Sequence, residues 1–220
     1  GLSVQFLPNR ITAILGRSGS GKSTLLQLVN GLVKPQSGQV LIHQQPIDYH
    51  NLSQLRLKMG YVVQGLGLFP HLTISQNISM LAKVVPVENS DQRVREWMEL
   101  TELPLHYTER YPHELSGGEQ QRVAICRALF LDPPMLLMDA PFSALDPITR
   151  FQMQQELMKL QRHKPRTVLF VTHDLREAAR IADYILVMDK GVLQQFDTKD
   201  RVLQNPATDV VRQFIQTATL

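Results

Sequence analysis

Nine residues near the start of the chain, Gly16, Arg17, Ser18, Gly19, Ser20, Gly21, Lys22, Ser23 and Thr24, carry the spacing G-x-x-x-x-G-K-S. That spacing suits phosphate chemistry: glycines at 16, 19 and 21 are read as letting the backbone take positive φ and approach a ligand, so that successive N–H groups point at phosphate oxygens. A helix starting there adds the positive end of its dipole. In this pattern Lys22 reaches the β- and γ-phosphates and the Ser23 hydroxyl ligates Mg²⁺. Three polar residues close apolar runs further on. Asp139 is placed to hold the metal's shell, Gln64 to orient water or metal through its amide, and His173 to hydrogen-bond a γ-phosphate. Ser116 and Glu119 have capping-box spacing, and the Gly117 and Gly118 between them cost a helix about 1 kcal/mol each relative to alanine. Such a cost points to a helix N-terminus presented to an anion. Plainer readings stand beside these: an ordinary capped helix at Ser116, an ordinary N-cap at Asp146, and structural Gln and His residues at strand ends.

Strands and helices must bring these groups together. Residues 2–6 and 11–15 read as two strands joined at Pro8, Asn9 and Arg10, the second feeding the glycine-rich loop. The helix after it stops at Asn30 and Gly31, where glycine suits the left-handed position past a helix end. Residues 39–43 and 59–63 read as further strands, the latter ending at Gln64. From 65 to about 131 the pattern is helical and broken by Pro70, Pro86, Pro104 and Pro112, which reads as a separate helical lobe. The apolar runs 135–138 and 168–171 are too short for helices and suit central strands of a parallel sheet covered on both faces. Asp146 and Pro147 make a cap and first-turn pair for a helix through 160. Residues 184–188 and 192–195 flank Asp189, Lys190 and Gly191 as a hairpin.

The 220 residues, 43% hydrophobic and 20% charged, can bury one sizeable core. A formal charge of +3 with no cluster of Lys and Arg among aromatics gives no footing for nucleic acid. Cys126 has no second cysteine to bridge to, and its apolar neighbours predict a buried thiol in a reducing cytosol. No run approaches the eighteen or so apolar residues of a membrane span and no signal peptide precedes the core, so any membrane role is expected to come from another subunit.

Taken in order, the 16–24 loop, Gln64, the Leu-Ser-Gly-Gly-Glu run, the 135–139 strand, the 143–146 run and His173 resemble the nucleotide-binding subunit of ATP-binding cassette (ABC) transporters. Ser116 lies twenty-three residues before Asp139, and that pairing separates the chain from kinases and GTPases that share only the loop. The resemblance implies a P-loop NTPase (RecA-like) α/β core with a mostly parallel sheet, an antiparallel β part and an inserted helical subdomain. It divides a single domain, 1–220, into a core of about 1–64 and 132–220 and a subdomain of about 65–131.

By the same resemblance, two copies dock head to tail. ATP and Mg²⁺ held by Lys22, Ser23, Gln64, Asp139 and His173 of one copy are closed over by Ser116, Gly117, Gly118 and Glu119 of the other, with Asp146 nearby. Both glycines would then let the Ser116 helix approach the partner's γ-phosphate. Residues 65–79 fall where a membrane permease docks, which implies a cytoplasmic protein on the inner face of the membrane. The 64–71 stretch most resembles bacterial osmoprotectant (glycine betaine, quaternary amine) importers. The chain departs from the family at Ala140, where a catalytic Glu is usual. Alanine cannot accept a proton, which implies a hydrolysis-impaired, ATP-trapping form: an altered chain, or a slow ATPase relying on His173. The family's adenine-stacking aromatic is expected upstream of residue 1. The alternative is a soluble ABC protein that uses ATP-driven dimerisation as a switch.

Overall fold

In the computed structural model, which describes residues 1–143 and 145–218, a six-stranded sheet runs in the order β4-β5-β6-β1-β7-β8. The strands are β1 (Ile11–Gly16), β4 (Met59–Val62), β5 (Met135–Asp139), β6 (Thr167–Thr172), β7 (Tyr184–Asp189) and β8 (Val192–Thr198). All neighbouring pairs are parallel except β7 with β8. The two short strands β2 (Leu41–Ile42) and β3 (Gln45–Pro46) pair separately.

Alternation along each central strand divides the core between the two faces of the sheet. Ala13 and Leu15, Leu136 and Met138, Val168 and Phe170, and Ile185 and Val187 fall in one apolar cluster. Ile14, Leu137, Leu169 and Val171, and Leu186 and Met188 fall in the other. Burial on both faces is why these strands read as unbroken apolar runs. Helix α1 (Lys22–Val29) covers the second face; its Asn30 and Gly31 end it with Gly31 at φ +70°.

Helices α3 (Ile74–Ile78), α4 (Ser90–Leu100) and α5 (Gly117–Leu129) fill the region between β4 and β5. Ile74, Ile78, Val94, Trp97 and Met98 belong to the same cluster as the sheet's first face, so this helical part shares its core with the strands. Beyond β5 come α6 (Pro147–His163) and α7 (Leu175–Ile181), and after β8 come α8 (Lys199–Gln204) and α9 (Asp209–Ala218).

Three local readings are corrected. Residues 2–6 form no strand: Leu2, Val4 and Phe6 alternate inward onto the second cluster, with the Phe6 ring edge-on to Phe196 at 6.0 Å, but no ladder accompanies them. The 39–43 strand shrinks to Leu41–Ile42 because His43 and Gln44, at φ +51° and +65°, reverse the chain in a two-residue hairpin. Between that hairpin and β4, in a stretch where the sequence announced no element, lies the six-residue helix α2 (Leu52–Leu57). The second hairpin strand continues to Thr198, beyond the 192–195 expected, because β8 follows β7 along its whole length.

Candidate nucleotide site

β1 lies between β6 and β7, and its C-terminal end opens directly into the 16–24 loop. Carboxyl ends of central parallel strands are where open α/β sheets bind ligands. Gly19 and Gly21 take φ +75° and +95°, as the phosphate-loop reading requires. Gly16 has a different reason: it does not take positive φ, but a Cβ there would come within 2.4 Å of both the Met188 carbonyl oxygen and Ser20 Oγ. It is glycine because β7 and the loop close on it. Gly21 is also the N-cap of α1, and no side chain caps that helix, so its first amides are left for a ligand. The Lys22 ammonium donates to the Gly16 carbonyl (2.8 Å), the Arg17 carbonyl (2.8 Å) and Ser20 Oγ (3.4 Å), which folds it across the loop mouth. Burial lowers its pKa, opposed by the nearby Asp139 charge.

A cleft of about 390 Å³ opens at this point, and it brings together Lys22, Ser23, Gln64, Asp139, Ala140 and His173. Ser23 Oγ donates to Asp139 Oδ1 at 3.1 Å across 116 residues of sequence. A hydroxyl and a carboxylate side by side are hard oxygen donors that fit Mg²⁺, which binds through one or two protein groups plus phosphate oxygens and water. No group of three His, Cys, Asp or Glu that could form a fuller cage occurs among the described residues. Ala140 sits at φ +47°, donating its N–H to the Val171 carbonyl (3.1 Å) and accepting from Ser143 Oγ (3.0 Å).

The turn bearing His173 is fixed by groups that the sequence reading missed. Thr172 Oγ1 donates to the buried Glu177 Oε2 at 2.5 Å and accepts the Asp174 N–H at 3.1 Å. Burial raises the Glu177 pKa, countered by that hydroxyl. The local signal was Thr172 and Asp174 flanking His173 with Glu177 in the next helical turn. Tyr61 on β4 has its phenol pKa raised by burial and then by Asp139.

None of Ser116, Gly117, Gly118, Glu119 or Asp146 lines the cleft. Ser116 N-caps α5 in a full capping box: Glu119 Oε2 accepts from both the Ser116 N–H and hydroxyl at 2.8 Å, while Tyr107 donates to Glu119 Oε1 at 3.0 Å. The two glycines part company here. A Cβ on Gly118 would meet Thr149 Cγ2 on α6 at 2.3 Å, whereas one on Gly117 would meet nothing within 4 Å. Gly118 therefore has an explanation inside its own chain, the packing of α5 on α6, and Gly117 alone remains to be explained from outside.

Gly118→Ala is expected to destabilise the fold by about 1 to 3 kcal/mol through overpacking, with Thr149→Ser restoring most of the loss. Gly117→Ala should be neutral or stabilise by up to about 1 kcal/mol. Urea unfolding of the three variants checks both, and equal effects at 117 and 118 would contradict the packing account. Asp146 N-caps α6, its Oδ1 accepting from the Ile148 and Thr149 N–H groups at 3.1 Å; hydrogen bonding from the Thr149 side chain, and then these backbone bonds, lower its pKa. Of the 143–146 run, Ala144 lies outside the described residues. In 65–79, the buried Asn77 accepts the Phe69 N–H and donates to the carbonyls of Phe69, Leu72 and Thr73, which shapes that turn.

A family model described as "ABC transporter" matches residues 1–143. The chain belongs to the ABC transporter family. It is 47% identical over 203 residues to the glycine betaine/carnitine/choline transport ATP-binding protein OpuCA of Bacillus subtilis, covering 91% of this chain and 53% of that one. It is 43% identical to the glycine betaine uptake system ATP-binding protein YehX of Escherichia coli, covering 97% and 70%. Among solved structures, cbiO1 from Clostridium perfringens, part of the ABC transporter complex cbiONQ, superposes with a TM-score of 0.86 at 30% identity, covering 97% and 86%. The dimeric post-hydrolysis state of the cassette MJ0796 bound to ADP and Pi gives 0.80 at 34% identity, covering 89% and 88%. The chain spans about half the length of several of the curated relatives it matches. The sheet with its antiparallel β7–β8 pair and the helices between β4 and β5 is thus an ABC cassette, as the resemblance implied.

Proposed function

We propose that this chain binds ATP with Mg²⁺ and closes head to tail with a second copy to power an osmoprotectant importer. The observation that supports it best is the cleft itself, where loop amides, Lys22, the Ser23–Asp139 pair, Gln64 and His173 converge while the Ser116 helix points elsewhere. A site assembled from two copies accounts for both facts. In it, the uncapped start of α1 and the Lys22 ammonium take the β- and γ-phosphates. Ser23 and Asp139 hold the metal, with Gln64 beside them; Mg²⁺ when bound neutralises charge on the phosphates. His173, steadied by the Thr172–Glu177 bond, donates to the γ-phosphate. The partner's Ser116, Gly117 and Glu119 close from the far side, with Asp146 nearby at the start of α6. Residues 65–79 would seat an integral-membrane permease on the cytoplasmic face of the membrane, in keeping with the transport functions named for its relatives.

Gly117→Asp tests the two-copy site because a Cβ at that position meets nothing within 4 Å in its own chain. ATP binding to the monomer should be unchanged and the ATP- and Mg²⁺-dependent dimer lost on size-exclusion chromatography; a persisting dimer would rule out the head-to-tail arrangement. Ala140 favours a second reading, a slow ATP-dependent dimerisation switch uncoupled from transport, because the cleft offers no carboxylate at that position.

A further inference from the structure

One buried carboxylate plays no part in the site described above. Glu156 on α6 is 3% exposed, and it lies 3.0 Å from the Arg122 guanidinium of α5. Neither of its oxygens completes a hydrogen bond. Arg122 also donates to the Glu102 carbonyl just past α4 at 3.1 Å, and Lys159 of α6 pairs with the Glu102 carboxylate at 3.0 Å. The guanidinium thus joins α5 and α6 to the end of α4. One helical turn on, Cys126 meets Thr101 Oγ1 at 3.0 Å and completes the α4 side.

The same two helices also touch nearer their N-termini, where Gly118 admits Thr149. Gly118 and Arg122 are four residues apart on α5, and Thr149, Met153 and Glu156 recur at helical spacing on α6, so both contacts lie on one face of each helix. Two contacts at different heights fix the crossing angle as well as the separation. α5 begins at Ser116 and α6 at Asp146, the two helix starts placed at the copy-to-copy contact.

We propose that the Arg122–Glu156 pair is a joint fixing the tilt of α5 against α6, which makes Glu156 a positioning residue for ATP-driven closure. The proposal rests on the two-copy reading of the nucleotide site. A buried ion pair seldom adds net stability over apolar residues of similar size, and its best-attested use is setting register.

The groups facing Glu156 are Arg122 and Cys126 from α5, Glu102 from the end of α4 and Lys159 from α6. Burial, with help from Glu102, pushes the carboxyl up to about 7 against the pull of Arg122 and Lys159. The buried Cys126 thiol, pushed up to about 12, stays neutral. Because the folded carboxyl titrates above the unfolded one, stability falls as pH rises from about 4.5 through about 7. Above about pH 7 the joint is ionic, and below about pH 7 the carboxyl is protonated and the joint is released.

The test measures the dimer dissociation constant by sedimentation equilibrium at saturating ATP and Mg²⁺, for the chain and for Glu156→Gln. Glu156→Gln should weaken the dimer on the order of tenfold at about pH 8, the scale of ordinary coupling energies. The gap should close to within about twofold near pH 6, where Glu156 is itself protonated. Monomer affinity for ATP should not move. Should Glu156→Gln fold poorly, the double variant Arg122→Met/Glu156→Leu is expected to fold at least as stably yet dimerise weakly at both pH values. Equal dimer constants at pH 8, a gap independent of pH, or a tight dimer in the apolar double variant would each overturn the joint. No ATP-dependent dimer in the unaltered chain would overturn the two-copy reading and the joint with it, an outcome distinct from a dimer indifferent to Glu156.

Discussion

Lys22→Ala is expected to lower ATP affinity by about 10²- to 10⁴-fold while leaving the fold in place. The ammonium now makes two 2.8 Å bonds to the Gly16 and Arg17 carbonyls. In the proposed site, bound ATP would exchange those bonds for charge-assisted ones to phosphate oxygens, each worth about 1.5 to 3 kcal/mol. Two such bonds amount to about 3 to 6 kcal/mol, and about 1.4 kcal/mol is a factor of ten. The loop itself does not depend on the side chain. Ser20 N–H still bonds the Arg17 carbonyl at 3.1 Å, Gly191 N–H still bonds the Ser20 carbonyl at 3.1 Å, and Gly16 still packs under Met188. Calorimetric titration with ATP, beside a circular dichroism spectrum, checks both halves. Near-unchanged affinity with a native spectrum would sink the nucleotide reading of the cleft.

Features fixed by local geometry could be read from the sequence, and those fixed by distant partners could not. The Ser116–Glu119 capping box is written within four residues and folds as written. The 135–138 and 168–171 runs announced central strands because burial on both faces leaves no polar positions to confuse the period. Gly16 was recognised as necessary but for the wrong reason, and Gly118 has a packing reason that the sequence did not show. What excludes a side chain at Gly16 is the Met188 carbonyl on β7, and at Gly118 it is the Thr149 methyl on α6, neither of which spacing along the chain can bring near. Residues 2–6 show the converse error, since alternation reports one face buried and the other exposed but cannot supply a strand to pair with. Thr172 and Glu177 were missed because their bond matters only for how it steadies His173.

Ala140→Glu should raise the rate of ATP hydrolysis by about 10²- to 10⁴-fold, the usual range of general-base assistance, or roughly 2.7 to 5.5 kcal/mol of barrier. Ala140 lines the cleft beside Asp139 and Gln64, so a glutamate there would carry its carboxylate, one methylene beyond Cβ, on the cleft wall where the proposed γ-phosphate and its attacking water would sit. The backbone there is already left-handed, at φ +47°, and held by the Ala140 N–H bond to Val171 and the Ser143 hydroxyl bond to its carbonyl. A longer side chain therefore inherits a conformation that alanine has already accepted. Nucleotide affinity should change little, because the new carboxylate acts on water and not on the phosphates. Ala140→Asp should recover less, its carboxylate falling one methylene short. The dimer should also become transient, since hydrolysis would remove the γ-phosphate proposed to hold Ser116 across the contact. Steady-state phosphate release at saturating ATP and Mg²⁺, with Lys22→Ala as the blank, separates the outcomes. Equal rates with alanine and glutamate at 140 would mean that this position does not govern the attacking water, and the slow dimerisation switch would then stand ahead of the importer ATPase.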